Sequence, residues 1–257
     1  GLGKDATCDV TNYTAAELDD VTGMVTTAAT NVVWSYTTTY TVDEPLKFGH
    51  IVADNCVTEN ADALAIGPKT NDKVVGITPA MASGCGMNLL AREMPERFYD
   101  VGIEEEHAVT FSAGLAAGGM KPFCNIYSSF SHRAFDQIFH DVALQGLPVV
   151  LCLDRSGIVG EDGATHHGCY DMAVYRTLPG TVIAAPKDET ELKNMMYTAS
   201  LSQTGPFIIR YPRGYGEGTD WKMAGFEVME PGRGELLMEG SEIAVVAAGP
   251  SANRAVE

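Results

Sequence analysis

Between Asp100 and Gly119 the chain reads DVGIEEEHAVTFSAGLAAGG, three consecutive glutamates ahead of an almost wholly apolar run. Solvated acidic runs usually sit among other polar residues. Here Glu104, Glu105 and Glu106 follow Val101 and Ile103 and lead into Ala108, Val109, Phe111, Leu115 and Ala116. At least one carboxylate is therefore carried toward an interior, where it needs a partner or a task. Two arginines, Arg155 in LDRSG and Arg213 in RYPRG, directly follow apolar runs in a chain with only 17 basic residues. A guanidinium offers a planar fork of donors to an oxyanion, so two of them at strand ends can converge on a phosphate. For either arginine alone, a surface ion pair in an acidic protein is the competing reading. Asp162, His166 and His167 stand together in GEDGATHHG. A histidine there can move a proton. A metal site is disfavoured, because neighbours on one loop rarely point the same way and no distant ligand pattern completes the set.

These residues are spaced along a regular pattern of elements. From residue 73 onward, VVGITPA (74–80), RFYDVGI (97–103), PFCNIY (122–127), PVVLCLD (148–154), TVIAAP (181–186) and PFIIRYP (206–212) read as short buried strands. Helical stretches are expected at 106–118, 131–145 and 188–202. Strands alternating with helices, and apolar on both faces, predict an α/β fold: a doubly wound, mostly parallel sheet with helices on both faces. Ligands of such sheets gather beyond the carboxyl ends of the strands, where the residues above fall. After Arg213, a Gly-rich stretch (214–225) and a polar linker with PGRGE (231–235) precede EIAVVAAG (242–249) and PSANRAVE (250–257), expected as the first strand and helix start of another domain. The first 41 residues contain 11 threonines and no clear period, and are expected to be extended or weakly ordered. Residues 44–66 are expected to form a helix with Phe48, Ile51, Val52 and Val57 at apolar positions. The expected divisions are a Thr-rich segment (1–43), a main domain (44–216), a linker (217–240) and the start of a further domain (241–257).

Composition narrows the function classes. With 257 residues, 45% of them hydrophobic, the chain can build a large core. A net charge of −17 argues against nucleic acid, whose phosphates call for a basic face. No apolar run approaches the ~18 residues of a membrane helix. The six cysteines (8, 56, 85, 124, 152 and 169) form no CxxC pair. They read as small hydrophobes in a reducing cytoplasm rather than as a disulfide framework or zinc site. The chain begins at Gly1 without a signal pattern and is expected to be a trimmed piece.

Four clusters, GIEEEHAVTFSAGLA (102–116), NIYSSFSHRAFDQIFHDVALQ (125–145), LDRSGIVGEDGATHHG (153–168) and RYPRG (210–214), together resemble the pyrimidine-binding domain of the 1-deoxy-D-xylulose-5-phosphate synthases, thiamine-diphosphate enzymes of the transketolase superfamily. The resemblance runs from Lys73 to Gly216 and continues more weakly into the start of the family's C-terminal domain. DRSGIVGEDGATHHG is its most specific part. It implies that Glu105, two positions before the histidine, hydrogen-bonds N1′ of the cofactor's aminopyrimidine and so promotes loss of the thiazolium C2 proton. That task needs an apolar, desolvated setting. Glu104 and Glu106 depart from the family pattern and read as solvated carboxylates near a helix start. Phe130, in YSSF three residues before Arg133, is implied to stack on the aminopyrimidine, although a lone aromatic is ordinarily core. Tyr127 and Arg133 are implied to line the substrate side. Arg155 and Arg213 would hold the phosphate of glyceraldehyde 3-phosphate. Asp162 and His166 would contact the acceptor's hydroxyl and aldehyde groups, with His166 passing a proton as the new bond forms. His167 reads as support. His107 and His140 read as helix residues, His107 lying near the site only through its neighbour.

The resemblance further implies condensation of pyruvate with glyceraldehyde 3-phosphate to 1-deoxy-D-xylulose 5-phosphate and CO2, feeding isoprenoid, thiamine and pyridoxal synthesis. Thiamine diphosphate and Mg2+ would be the cofactors. The family's diphosphate and Mg2+ anchor, a GDG run with a downstream Asn, has no match, since GEDG (160–163) belongs to the other motif. No metal ligands are therefore assigned, and an N-terminal diphosphate-binding domain is expected to supply them. On this reading the chain holds half of the active site, is inactive alone and works in a homodimer. One alternative is a split transketolase-like subunit with another acceptor, which the arginine pair argues should be phosphorylated. Another is a degenerate, non-catalytic assembly or regulatory module, favoured by the unmatched first 41 residues, a disrupted 44–72 region and the extra acids at 104 and 106. Thiamine-diphosphate binding separates catalyst from module, and acceptor choice separates the two enzymes.

Overall fold

The computed structural model describes four strand backbones within the first 37 residues, then residues 72–221 and 224–257. The chain forms two compact units, Gly1–Glu44 and Pro45–Glu257. In the first, β1 (Thr7–Thr11) pairs antiparallel with β4 (Val33–Thr37), and β2 (Glu17–Leu18) with β3 (Val25–Thr27). The Thr-rich stretch thus contains strands that no alternation in its sequence announced, although Thr and Val suit a pleated backbone. The helix expected at 44–66 lies outside the described residues.

In the second unit β5 (Val74–Thr78), β6 (Phe98–Asp100), β7 (Lys121–Tyr127), β8 (Val150–Asp154), β9 (Val182–Ala184) and β10 (Phe207–Arg210) build one sheet. Its order is β6-β5-β7-β8-β10-β9 and every neighbouring pair is parallel. All six strands fall on the apolar runs expected to form them. β5 and β8 are buried throughout and β7 is buried except at its ends, while the edge strands β6 and β9 are partly exposed. Central strands of a parallel sheet must be apolar on both faces because both are covered, which is why these read as continuous runs. The chain leaves β5 for β6 on one side and returns to β7 on the other. That reversal is a switch point, beyond which a crevice opens at the carboxyl ends.

Helix α1 (Asn88–Glu93) packs over β5, where a Cβ on Gly76 would come within 2.4 Å of Leu90 Cδ2 and Met87 Cε. Helix α2 (Glu105–Ala117) buries Glu105, Ala108, Val109, Ser112, Ala113 and Ala116, spacings that form one stripe. The helix expected at 131–145 is instead a broken run. It consists of α3 (Ser128–Ser131), a 3-10 turn (His132–Ala134), α4 (Phe135–Gln137) and a π turn (Ile138–Ala143). The Ser131 hydroxyl donates to the Ser128 carbonyl at 2.7 Å, a local bond that competes with the helical ladder. Further on, the Leu144 amide reaches back to the Phe139 carbonyl.

A short helix, α5 (Asp171–Tyr175), was not anticipated. Helix α6 (Glu189–Leu201) falls where expected, its amino end capped by Asp188, which accepts from the Glu191 amide at 2.8 Å. The polar positions of α6 bind the segment that follows β10. Glu189 accepts from the Gly218 amide and the Thr219 hydroxyl, Lys193 donates to the Trp221 carbonyl, and Asn194 and Thr198 accept from the Glu227 and Met229 amides. Much of the stretch read as a linker is therefore tied along α6.

EIAVVAAG is not a strand. None of its residues carries strand pairing, and Ile243 and Val245 are exposed. An apolar run becomes a strand only where a neighbour accepts and donates its backbone bonds. The helix start expected after it is present as α7 (Ser251–Ala255). Among the described residues no helix is long and apolar enough to cross a membrane, and Cys85, Cys124 and Cys169 are free thiols.

Candidate active site

The approach to α2 is fixed at the end of β6. Asp100 Oδ1 accepts from the Gly102 amide at 3.0 Å and from the Ala80 amide at 2.9 Å, joining the loops that follow β6 and β5. Gly102, at φ +80°, turns the chain into the helix. The helical stripe then decides which glutamate goes inside: Glu104 is exposed, Glu106 half-buried, and Glu105 only 2% exposed. Ile103, the last residue of the run expected as a buried strand (97–103), is 78% exposed. Glu105 Oε1 accepts from Arg133 Nη1 at 2.5 Å, and the same guanidinium lies 4.7 Å over the Phe130 ring. Two residues beyond Glu105 is about 200° around a helix. Accordingly His107 is exposed, stacks on Phe111 at 6.0 Å and belongs to a different surface.

Tyr127 and Phe130 follow β7, their rings stacked with centroids 5.8 Å apart. The edge of His166 meets Phe130 at 5.0 Å. A Cβ on Gly84 would collide with the Tyr127 hydroxyl, so the tyrosine is accommodated by a glycine. Over its ring, at 3.9 Å, lies the Arg155 guanidinium. Arg155 also donates to the Gly84 carbonyl at 2.9 Å, pairs with Asp154 at 3.1 Å and faces Asp162 Oδ2 at 3.3 Å. Arg213 Nε faces that same Asp162 oxygen at 3.0 Å. Two arginines from the ends of neighbouring strands thus converge on one anionic oxygen. Arg155 adopts φ +62°, a left-handed conformation that costs a non-glycine residue on the order of 1 kcal/mol or more and persists only when its surroundings over-determine it.

One chain of contacts therefore joins Glu105, Arg133, Phe130, His166, Tyr127, Arg155, Asp162 and Arg213 beyond the strand ends. Two further histidines have other tasks. His167 Nδ1 accepts from the Val159 amide at 3.2 Å and closes its own loop, while His140 pairs with Asp136 one turn away. Among the described residues no group of three His, Cys, Asp or Glu side chains is placed to hold a metal ion. Burial pushes the Tyr127 phenol up to about 12, the nearby Arg155 partly opposing it. Burial also lifts the Asp154 carboxyl to about 6, against the pull of Arg155.

Sequence reasoning missed two buried acids at the carboxyl ends of the strands. Asp154 carried a signal, a charged residue closing an apolar strand directly before Arg155. Asp171 carried none, because its partners stand far off in the chain. Its Oδ2 accepts from Ser128 Oγ at 3.0 Å, Ser156 Oγ at 2.8 Å and Arg210 Nε at 2.9 Å.

Residues 58–217 match the family described as "Transketolase, pyrimidine binding domain". The chain is similar to proteins named 1-deoxy-D-xylulose-5-phosphate synthase. It is 55% identical to one from Bacteroides thetaiotaomicron over 79% of this chain and 30% of that protein, and 59% identical to one from Phocaeicola vulgatus over 71% and 29%. The chain thus spans less than a third of the length of these relatives. Among solved structures, "Split gene transketolase, inactive beta4 tetramer" superposes with a TM-score of 0.66 at 25% identity, covering 82% of this chain and 66% of that one. "Transketolase from Leishmania mexicana" shares the fold, with a TM-score of 0.57 at 19% identity over 71% of this chain and 28% of that one.

Proposed function

Because the chain belongs to the transketolase pyrimidine-binding-domain family, we propose that it supplies the pyrimidine side of the active site of a 1-deoxy-D-xylulose-5-phosphate synthase. The reaction is condensation of pyruvate with glyceraldehyde 3-phosphate to 1-deoxy-D-xylulose 5-phosphate and CO2, a precursor of isoprenoids, thiamine and pyridoxal. Identity of 55–59% to proteins of that name supports the reading.

The observation that carries it is the flat guanidinium of Arg133 lying over Phe130 while donating to the buried Glu105. An aminopyrimidine makes the same two demands, a ring to stack on and a carboxylate at its edge, so these residues fit thiamine diphosphate. When bound, the cofactor supplies the thiazolium on which pyruvate loses CO2 and the two-carbon unit is handed on. Glu105 holds a proton at the pyrimidine N1′ and fixes the orientation of the ring, and Phe130 supports its face. Arg133, half exposed on a long flexible stem, yields this position and turns to the pyruvate side beside Tyr127. Arg155 and Arg213 grip the acceptor phosphate as they grip the Asp162 oxygen. Asp162 then turns to the acceptor hydroxyl, and His166 delivers a proton to the aldehyde oxygen. The diphosphate and Mg2+ are assigned to a separate diphosphate-binding domain, with a cytoplasmic homodimer as the working form.

One observation favours a second reading, the likeness to a split-gene transketolase. A subunit of that type would use another phosphorylated acceptor, and competition between aldehydes separates the two. The central test is proton–deuterium exchange at the cofactor C2 in the complete enzyme. Glu105→Ala should abolish exchange and Glu104→Ala should retain it. Exchange at the wild-type rate in Glu105→Ala overturns the assignment.

A further inference from the structure

We infer that Asp171, which lies behind the crevice, is a positioning residue that sets the grip of Arg155 and Arg213 and with it the preference for a phosphorylated acceptor. The inference rests on the phosphate reading of that pair. Asp171 opens α5 and is 1% exposed. Its Oδ2 receives Ser128 Oγ, Ser156 Oγ and Arg210 Nε, and its Oδ1 receives the Met172 amide at 2.8 Å. The three side-chain donors sit at the carboxyl ends of β7, β8 and β10, which are adjacent in the sheet. Ser156 is the residue after Arg155, Arg210 comes three residues before Arg213, and Ser128 directly follows Tyr127.

One buried carboxylate therefore fastens together the strand ends that carry the aromatic wall and both arginines. Its charge is offset by Arg210, and its oxygens are satisfied, the conditions under which a buried ion is tolerated. The network continues inward, with the Tyr175 hydroxyl donating to Ser131 Oγ at 2.6 Å. Arg155 needs such support because its left-handed backbone is held against its own preference. Ser156 provides it twice, through its hydroxyl on Asp171 and its amide on the Tyr211 carbonyl at 3.0 Å. If the Asp171 charge is removed, the Arg210 and Ser156 bonds weaken, and the spacing of Arg155 and Arg213 is no longer enforced. A forked grip on one phosphate tolerates only about 0.5 Å of error.

The test compares Asp171→Asn with Arg213→Ala in the complete enzyme. kcat/KM is measured for glyceraldehyde 3-phosphate and for unphosphorylated glyceraldehyde, and calorimetry follows binding of glycerol 3-phosphate. Asp171→Asn should lower the ratio of the two kcat/KM values roughly tenfold, chiefly through KM, and weaken glycerol 3-phosphate by a similar factor. A merely structural role would reduce both aldehydes alike. An unchanged ratio in Asp171→Asn, with a lowered ratio in Arg213→Ala, overturns this inference alone. An unchanged ratio in Arg213→Ala overturns the phosphate reading and this inference with it. Should Asp171→Asn fail to fold, Ser156→Ala cuts only the β8 arm. A lowered ratio there supports the inference and an unchanged one overturns it.

Discussion

At the scale of single residues, the crevice concentrates charge where it costs most. Asp154 is buried beneath Arg155, and its carboxyl stands near 6 rather than at its ordinary 3.8. The sign follows from proton uptake. Between about pH 4 and pH 6 the folded chain keeps a proton that the unfolded chain has released, so stability from this group falls as pH rises through that window. Above it the fold carries an ionised buried carboxylate at a cost of about 3 kcal/mol. Asp154→Asn removes the titration. Urea midpoints of variant and wild type should therefore diverge in the variant's favour from pH 4 to 6 and run parallel above pH 7. A pH-independent difference would show that Asp154 does not titrate in this range. Glu105 illustrates how much of a site residue was legible. The apolar sequence announced that some glutamate was buried. Which of the three it was came from the family resemblance, and in the structure the buried stripe of Ala108, Val109, Ser112 and Ala116 carries the middle one. Its pairing with Arg133 depended on a partner 28 residues away.

At the scale of elements, the loop after β8 does most to shape the site. Its ends are clasped by reciprocal bonds between Gly157 and Gly168, each 2.9 Å, and Gly157, Gly160 and Gly163 take positive φ. Gly168 is pressed into place: a Cβ there would come 2.4 Å from Ser128 Oγ and 2.5 Å from the Arg155 carbonyl oxygen. Gly168→Ala should cost about 1–3 kcal/mol by chemical denaturation, since neither a backbone carbonyl nor a hydroxyl bonded to Asp171 can step aside. Gly76→Ala should cost less, because the atoms it meets are the flexible ends of Leu90 and Met87. Equal losses would mean that the loop yields as easily as a side chain. The six sheet strands and α6 were legible because burial on both faces and helical periodicity each write themselves into a short window. The broken helix at 128–143 was not, since neither the Ser131 hydroxyl bond to the Ser128 carbonyl nor the reach of the Leu144 amide back to Phe139 is written in composition.

At the scale of the molecule, a strongly acidic chain carries an exposed apolar stretch. Leu236, Met238, Ile243 and Val245 face outward, and Val246 is 97% exposed. Such a patch favours association even on a surface whose net charge opposes it. Val246→Glu should leave the unfolding free energy within about 0.5 kcal/mol of wild type, as expected for a side chain with no burial to lose. It should also reduce concentration-dependent association in sedimentation velocity. A clear loss of stability would show that Val246 is packed in the folded chain.

What the sequence determined by itself was whatever depends on neighbours in the chain. Continuous apolar runs separated by helical stretches required a parallel sheet covered on both faces, and a carboxylate among apolar residues required a buried task. The apolar runs also put Arg155 and Arg213 after strand ends before any distance was known. What only the tertiary structure decided was whatever depends on residues far apart. That includes the meeting of Arg155 and Arg213 on one oxygen, the stacking of Arg133 between Glu105 and Phe130, and the anchoring of three strands by Asp171. It also decided that EIAVVAAG, read as a strand from its apolar run, is not one. Local preference is a property of a segment, but a ladder or an ion pair exists only when a second segment supplies the other half of each bond.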